Sequence, residues 1–143
     1  MSIEFHTKRR IEFADVDLAG FVHFSRFFVF MESAEHEFLR SLGTSVHTQM
    51  DGKEIGWPRL AVSCEYIRPA RFEDVLDIHL TVGRKGKKSM TYHMVFEREG
   101  ELIARGEVKA ACCIVEPGKG FRAIDIPEQI EQALAARAHR FKE

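Results

Sequence analysis

Between about His23 and Leu42, apolar residues recur every third or fourth position at Phe24, Phe27, Phe28, Met31, Ala34, Phe38, Leu39 and Leu42. That spacing predicts a helix packed on a core. Val29 and Phe30 are apolar as well, so the first turns are greasy on nearly every side and the helix is expected to be buried on more than one face. Gly43 supplies its stop. A helix of this kind has to be covered, and the rest of the chain supplies strands to cover it.

Upstream, Ile3, Phe5, Ile11 and Phe13 share one parity while Glu4, His6, Lys8, Arg10 and Glu12 share the other, the pattern of a half-buried strand. Residues 14–20, Ala-Asp-Val-Asp-Leu-Ala-Gly, are rich in turn and helix-entry residues. Thr44 to Trp57 reads as irregular, with a turn at Asp51-Gly52. Four strand-like runs follow. Leu60, Val62, Cys64 and Tyr66 alternate in the first, Leu76, Ile78, Leu80 and Val82 in the second, and Met90, Tyr92, Met94 and Phe96 in the third. Glu99-Gly100 marks a tight hairpin into the fourth, so the sheet is expected to be antiparallel.

The fourth run keeps Leu102, Ala104, Gly106, Val108, Ala110, Cys112 and Ile114 on one face, which should meet the core. Its other face changes from Arg105, Glu107 and Lys109 to Ala111, Cys113 and Val115, and a second subunit is expected to cover that end. After Pro117, Ile126-Pro127 opens a short amphipathic helix with Ile130, Ala133 and Leu134 on one side. The economical architecture is α+β: a curled antiparallel sheet wrapped around one long central helix.

The chain has 143 residues, 45% hydrophobic and 30% charged, without repeats or linkers. One domain over residues 1–143 is expected. Twenty-one basic residues against 22 acidic ones give a net charge of −1, which disfavours nucleic acid as a partner. Cys64, Cys112 and Cys113 include an adjacent pair unsuited to ordinary disulfide geometry and lack metal-ligand spacing, so a reducing, cytoplasmic setting and no metal are expected. The charged N-terminus has no signal-peptide core, and no run is long enough to span a bilayer, so no membrane is expected as a partner. No P-loop, dinucleotide fingerprint or Gly-x-Ser-x-Gly elbow is present.

Asp17 precedes Gly20 by three residues and stands just before the long helix. A helix start offers unpaired amides and a positive dipole end that can hold a developing oxyanion. A carboxylate beside them can attack a carbonyl or activate water. The same position also suits a cap or turn residue. Asp15 is expected to bind local backbone instead. Arg84, Lys85, Lys87 and Lys88 cluster at a turn that Gly83 and Gly86 let bend. That cluster could hold phosphates or simply be solvated surface.

Residues 11–22, Ile-Glu-Phe-Ala-Asp-Val-Asp-Leu-Ala-Gly-Phe-Val, followed by an aromatic-rich helix containing Glu32, resemble the opening signature of 4-hydroxybenzoyl-CoA thioesterase-like hotdog proteins. Residues 65–76 resemble the family's second strand pair, Lys87-Lys88-Ser89 its basic turn and residues 122–127 its C-terminal segment. The resemblance spans roughly residues 5 to 130. It implies a hotdog fold, a homodimer joining two sheets edge to edge or a homotetramer, and hydrolysis of an acyl-CoA to a carboxylic acid and free coenzyme A. Asp17 matches the catalytic carboxylate, as nucleophile or general base, and Phe24 the residue whose backbone amide binds the thioester oxygen. Lys87, Lys88, Ser89, Arg84 and Arg122 are the candidates for holding coenzyme A, which is part of the substrate; no separate cofactor is implied. Many relatives carry His where Phe24 stands and Arg where Glu35 stands. Counted at 100° per residue, Glu35 falls in the apolar stripe, so it needs a basic partner near a subunit interface or a turn toward water. A non-catalytic acyl-CoA-binding or regulatory hotdog module is the alternative reading.

Overall fold

Alternating side chains become hydrogen-bonded ladders in the computed structural model, which describes residues 3–140. Strands β1 (Glu4–Arg10), β4 (Arg59–Tyr66), β5 (Val75–Lys85), β6 (Ser89–Arg98) and β7 (Glu101–Ala111) form one antiparallel sheet in the order β1-β5-β6-β7-β4. The hairpin expected at Glu99-Gly100 joins β6 to β7, and both turn residues have positive φ (50° and 81°), as a two-residue turn of matching twist requires.

Helix α1 (Arg26–Ser41) lies on this sheet. Its Phe27, Phe30, Met31, Ala34, Phe38 and Leu39 are buried with Leu76, Ile78 and Leu80 of β5, Met90, Tyr92, Met94 and Phe96 of β6, and Ala104, Val108 and Ala110 of β7. Edge-to-face ring pairs lock the two layers, Phe27 on Phe96 at 5.3 Å and Phe38 on Tyr92 at 6.0 Å. Each such side chain contributes roughly 1.5–3 kcal/mol by leaving water.

A second α-helix, α2 (Glu128–Arg140), buries Ile130 and Leu134, and Arg137 donates to the Ser41 carbonyl and hydroxyl at the end of α1. The core of the sheet is therefore served by α1 and by the short helix expected after Ile126-Pro127, so one long central helix alone does not describe the fold.

Five other expectations change. Thr44 to Trp57 is not irregular: β2 (His47–Met50) and β3 (Lys53–Gly56) pair across the Asp51-Gly52 turn. They join β8 (Cys113–Glu116) and β9 (Gly120–Ala123) in a second antiparallel sheet, ordered β2-β3-β8-β9. The fourth run breaks at Cys112, whose amide donates to Lys88 instead of continuing β7. The chain's own second sheet buries Cys113, which pairs with Gly56 and Ala123, and the Ala111 amide donates to Pro58, so no second subunit is needed there. Phe13 is 79% exposed, because the strand ends at Arg10 and residues Phe13–Asp15 form a 3₁₀ turn. α1 starts at Arg26 rather than His23: Phe24 and Ser25 form a turn, in which the Arg26 amide donates to the His23 carbonyl (2.9 Å).

Candidate functional site

The loop between β1 and α1 is a small hydrogen-bonded ring. Val16 and Val22 form a β-bridge, the Asp17 amide donates to Phe21 (2.7 Å), and the Gly20 amide donates to Asp17 (3.0 Å). Gly20 closes the turn at φ +86°, a conformation that glycine takes without strain. The Asp17 side chain belongs to the same ring: Oδ1 accepts from the amides of Ala19 (2.9 Å) and Phe21 (3.3 Å). Among the described residues Oδ2 has no partner. One oxygen fixes the carboxylate and the other is open.

Asp15 is a different carboxylate. It is buried, accepts from the Glu12 amide (2.8 Å) and stands 3.7 Å from Arg26, so it shapes the loop, as its parity predicts.

The helix entrance comes next. His23 is exposed, stacks on Phe24 (4.6 Å) and lies 2.7 Å from the Ser25 hydroxyl, which makes it a helix-start residue. The Phe24 carbonyl accepts from the Tyr66 hydroxyl at 2.8 Å, while the Phe24 amide has no partner among the described residues. Burial pushes the Tyr66 phenol above its ordinary range, so it serves as a donor. Asp17, Phe24 and Tyr66 line one cavity of about 370 Å³ with Phe21, Val22, Phe27 and Arg68. A free carboxylate oxygen, a free amide and an aromatic wall thus share one opening. Tyr66 was not among the site residues expected from sequence, since only the β4–β7 ladder brings it beside Phe24.

The basic residues lie elsewhere. β5 begins beside the Asp17 loop, where Ile11 bonds Asp74, and ends at Lys85 in the basic turn, roughly 30 Å away along the strand. Within one chain, Arg84, Lys87, Lys88 and Ser89 therefore sit at the opposite end of the sheet from Asp17. Arg122 is also outside the Asp17 cavity; it lines a second one of about 520 Å³ and pairs with Glu116 at 3.0 Å. Lys85 is committed to Glu131 (2.7 Å). The turn is anchored through its backbone, the Lys88 carbonyl accepting from Cys112 and the Lys87 carbonyl from Ile126.

Glu35 needs no partner subunit and does not turn to water. It is completely buried and held by both terminal nitrogens of Arg59 on β4. Burial pushes its carboxyl up to about 7, against the downward pull of Arg59. Glu32 is exposed, 3.8 Å from His36, and takes no part in the Asp17 loop. Among the described residues no group of three His, Cys, Asp or Glu side chains could hold a metal, and no helix is long and apolar enough to cross a membrane.

The chain is 31% identical over 128 residues to an Aquifex aeolicus protein that carries a provisional esterase name, covering 89% of this chain and 94% of the relative. It is 28% identical over 135 residues to a 1,4-dihydroxy-2-naphthoyl-CoA hydrolase of Synechococcus, covering 90% and 86%. The solved structure of a gentisyl-coenzyme A thioesterase superposes with a TM-score of 0.79 at 27% identity, over 91% of this chain and 99% of that one. The family model of the thioesterase-like superfamily matches residues 11–134, and the chain belongs to that superfamily, with its hotdog fold.

Proposed function

We propose that the protein hydrolyses acyl-CoA thioesters to a carboxylic acid and free coenzyme A, with Asp17 as the acting carboxylate and the Phe24 amide as the oxyanion donor. The observation that carries this reading is the shared cavity: an unpartnered Asp17 Oδ2 and an unpartnered Phe24 N–H at one opening lined by aromatic rings. Asp17 attacks the thioester carbon itself, or takes a proton from water whose oxygen attacks instead. Either way the carbonyl oxygen gains negative charge, which the Phe24 amide stabilises. The C–S bond then breaks and the thiolate leaves, taking up a proton. Through the direct route a mixed anhydride with Asp17 forms first and water then cleaves it. No resident cofactor enters the reaction.

The nucleotide of the substrate is assigned to Lys87, Lys88, Ser89, Arg84 and Arg122 of a second copy. β4 is an edge strand whose Leu60 and Val62 are 57% and 49% exposed. Two such edges paired antiparallel bury those residues and form a homodimer. β4 runs from Arg59, on the basic-turn end, to Tyr66, beside Phe24. The two-fold therefore brings the partner's basic turn toward the Asp17 end, and a tetramer is a further stacking of such dimers.

Thiol release from a panel of acyl-CoAs tests the reaction. Asp17→Asn is expected to lose at least ~10²-fold in kcat/KM with its melting temperature kept. A wild type that releases no thiol from any member of the panel while still binding coenzyme A would instead make the protein an acyl-CoA-binding module.

A further inference from the structure

A second cleft, of about 460 Å³, is lined by Arg68, Pro69, Arg71, Asp74, Arg98 and Glu101. It shares Arg68 and Pro69 with the Asp17 cavity, so the two adjoin. Phe21 ties them mechanically: its amide holds Asp17 Oδ1, its backbone bridges Arg71, and the Arg71 guanidinium stands 5.4 Å over its ring.

Three arginines face two carboxylates here, and the carboxylates are already matched. Arg98 binds Asp74 and Glu101, each at 2.8 Å, and donates to the Pro69 carbonyl at 3.3 Å. Asp74 also accepts from the Arg71 backbone amide (2.8 Å), and the arginine contacts hold its carboxyl below the usual range despite partial burial. Arg98 thus acts as the buttress that neutralises the floor. Arg71 has no carboxylate within ion-pair distance among the described residues. Arg68 spends one terminal nitrogen on the Leu102 carbonyl (2.9 Å) and approaches Glu101 only at 3.7 Å. Two exposed guanidinium groups with open donors therefore remain beside the acyl cavity. Planar forks of this kind match the oxygens of a phosphoryl group.

We propose that this arginine cleft is an anion site that receives the phosphoryl group at the far end of a thioester substrate's pantetheine arm. The inference rests on the thioesterase reading above and adds a contact made by the chain that also supplies Asp17. The partner's basic turn is then left for the remaining phosphates of the nucleotide. A phosphoryl group at that point of the arm belongs either to the pyrophosphate of coenzyme A or to the phosphodiester of a carrier protein's prosthetic arm.

The test compares wild type with the double variant Arg68→Gln/Arg71→Gln, which leaves the Arg98 pairs in place. Its readouts are the kcat/KM ratio of an acyl-CoA over the same acyl-pantetheine, the ratio for acyl-4′-phosphopantetheine over acyl-pantetheine, and the Kd of free coenzyme A. The expected result is a fall of about tenfold or more in the acyl-CoA preference and a matching rise in Kd. A fall in both ratios assigns the site to the first phosphoryl group of the arm, common to both sources, and a fall in the first alone assigns it to the nucleotide pyrophosphate. Ratios and Kd within twofold of wild type overturn the proposal. If the wild type hydrolyses no thioester, the Kd comparison still decides the cleft, so its failure and that of the thioesterase reading are separable.

Discussion

Glu35 is a carboxyl group without water, held in place by the two terminal nitrogens of Arg59. Taking a carboxylate out of water opposes ionisation more than one guanidinium favours it, so the folded value of about 7 lies above the 4.5 of the unfolded chain. Between those values the native state holds a proton that the unfolded state has lost, and the stability contributed by the protonated form is lost as pH rises from about 4.5 to about 7. Arg59→Met removes the group that pulls the carboxyl down, which moves the upper end of that window higher. The variant is expected to be close to wild type at pH 5 and weaker by about 1 kcal/mol at pH 8, the one pH unit by which pH 8 exceeds the wild-type value. Urea denaturation at the two pH values measures this, and an equal deficit at both would show that Arg59 acts by packing alone. His36, whose value burial and the Arg59 charge push down, also loses the Arg59 contribution in the variant, so its titration is followed separately in both proteins. The placement of Glu35 in the apolar stripe follows from helical periodicity. Its partner does not, because Arg59 lies 24 positions away on a strand whose edge faces α1 only through the sheet topology.

α1 lies directly against the sheet where Met31 covers Gly106 of β7. A β-carbon built there lies 2.1 Å from the sulfur of Met31, itself completely buried among the core residues. Gly106→Ala should therefore force helix and sheet apart and cost about 1–3 kcal/mol. Gly83 gives the control. A β-carbon there meets the ring of His93 at 1.9 Å, but that ring is on the exposed face and can swing into water, so Gly83→Ala should stay within about 0.5 kcal/mol. Thermal melts of the two variants separate the cases, and equal losses would mean that the helix layer yields as freely as a surface ring. Gly106 is legible in sequence as one member of an apolar alternation, though not as the place that Met31 covers. The same holds for the elements in general. β1, β5, β6 and most of β7 announce themselves by long alternation with one covered face, and β4 by its alternation alone, since nearly all of it is exposed. β2, β3 and β9 have four residues each, largely polar or exposed, and are strands only through their partners, β3 and β9 on β8 and β2 on β3. The start of α1 moves because Phe24 and Ser25 sit in a turn closed from the Arg26 amide to the His23 carbonyl, which apolar periodicity does not reveal.

At the scale of the whole molecule the candidate site divides along the sheet. Asp17 and Phe24 are seven residues apart and join through local loop geometry, which is why contiguous sequence identifies them. Their distance from Lys87 and Lys88 is set by the length of β5 and was not legible, because periodicity identifies strands without saying which ends share a function. If the two parts cooperate, they do so between copies, and mixing crippled chains tests it. Asp17→Asn and Lys87→Gln/Lys88→Gln are each expected to be weak alone. In a hybrid dimer one site combines both lesions, while the other joins an intact Asp17 to an intact basic turn from the neighbouring chain. Random pairing at equal amounts makes half the dimers hybrid, so about a quarter of all sites are restored. Co-refolded mixtures should recover about that share of wild-type acyl-CoA hydrolysis, with the mass in solution being at least that of a dimer. Sites built within one chain give a hybrid in which every site carries a lesion. Activity no higher than the mean of the two variants would then return the basic turn to solvated surface, leaving the arginine cleft beside Asp17 as the anion site of the molecule.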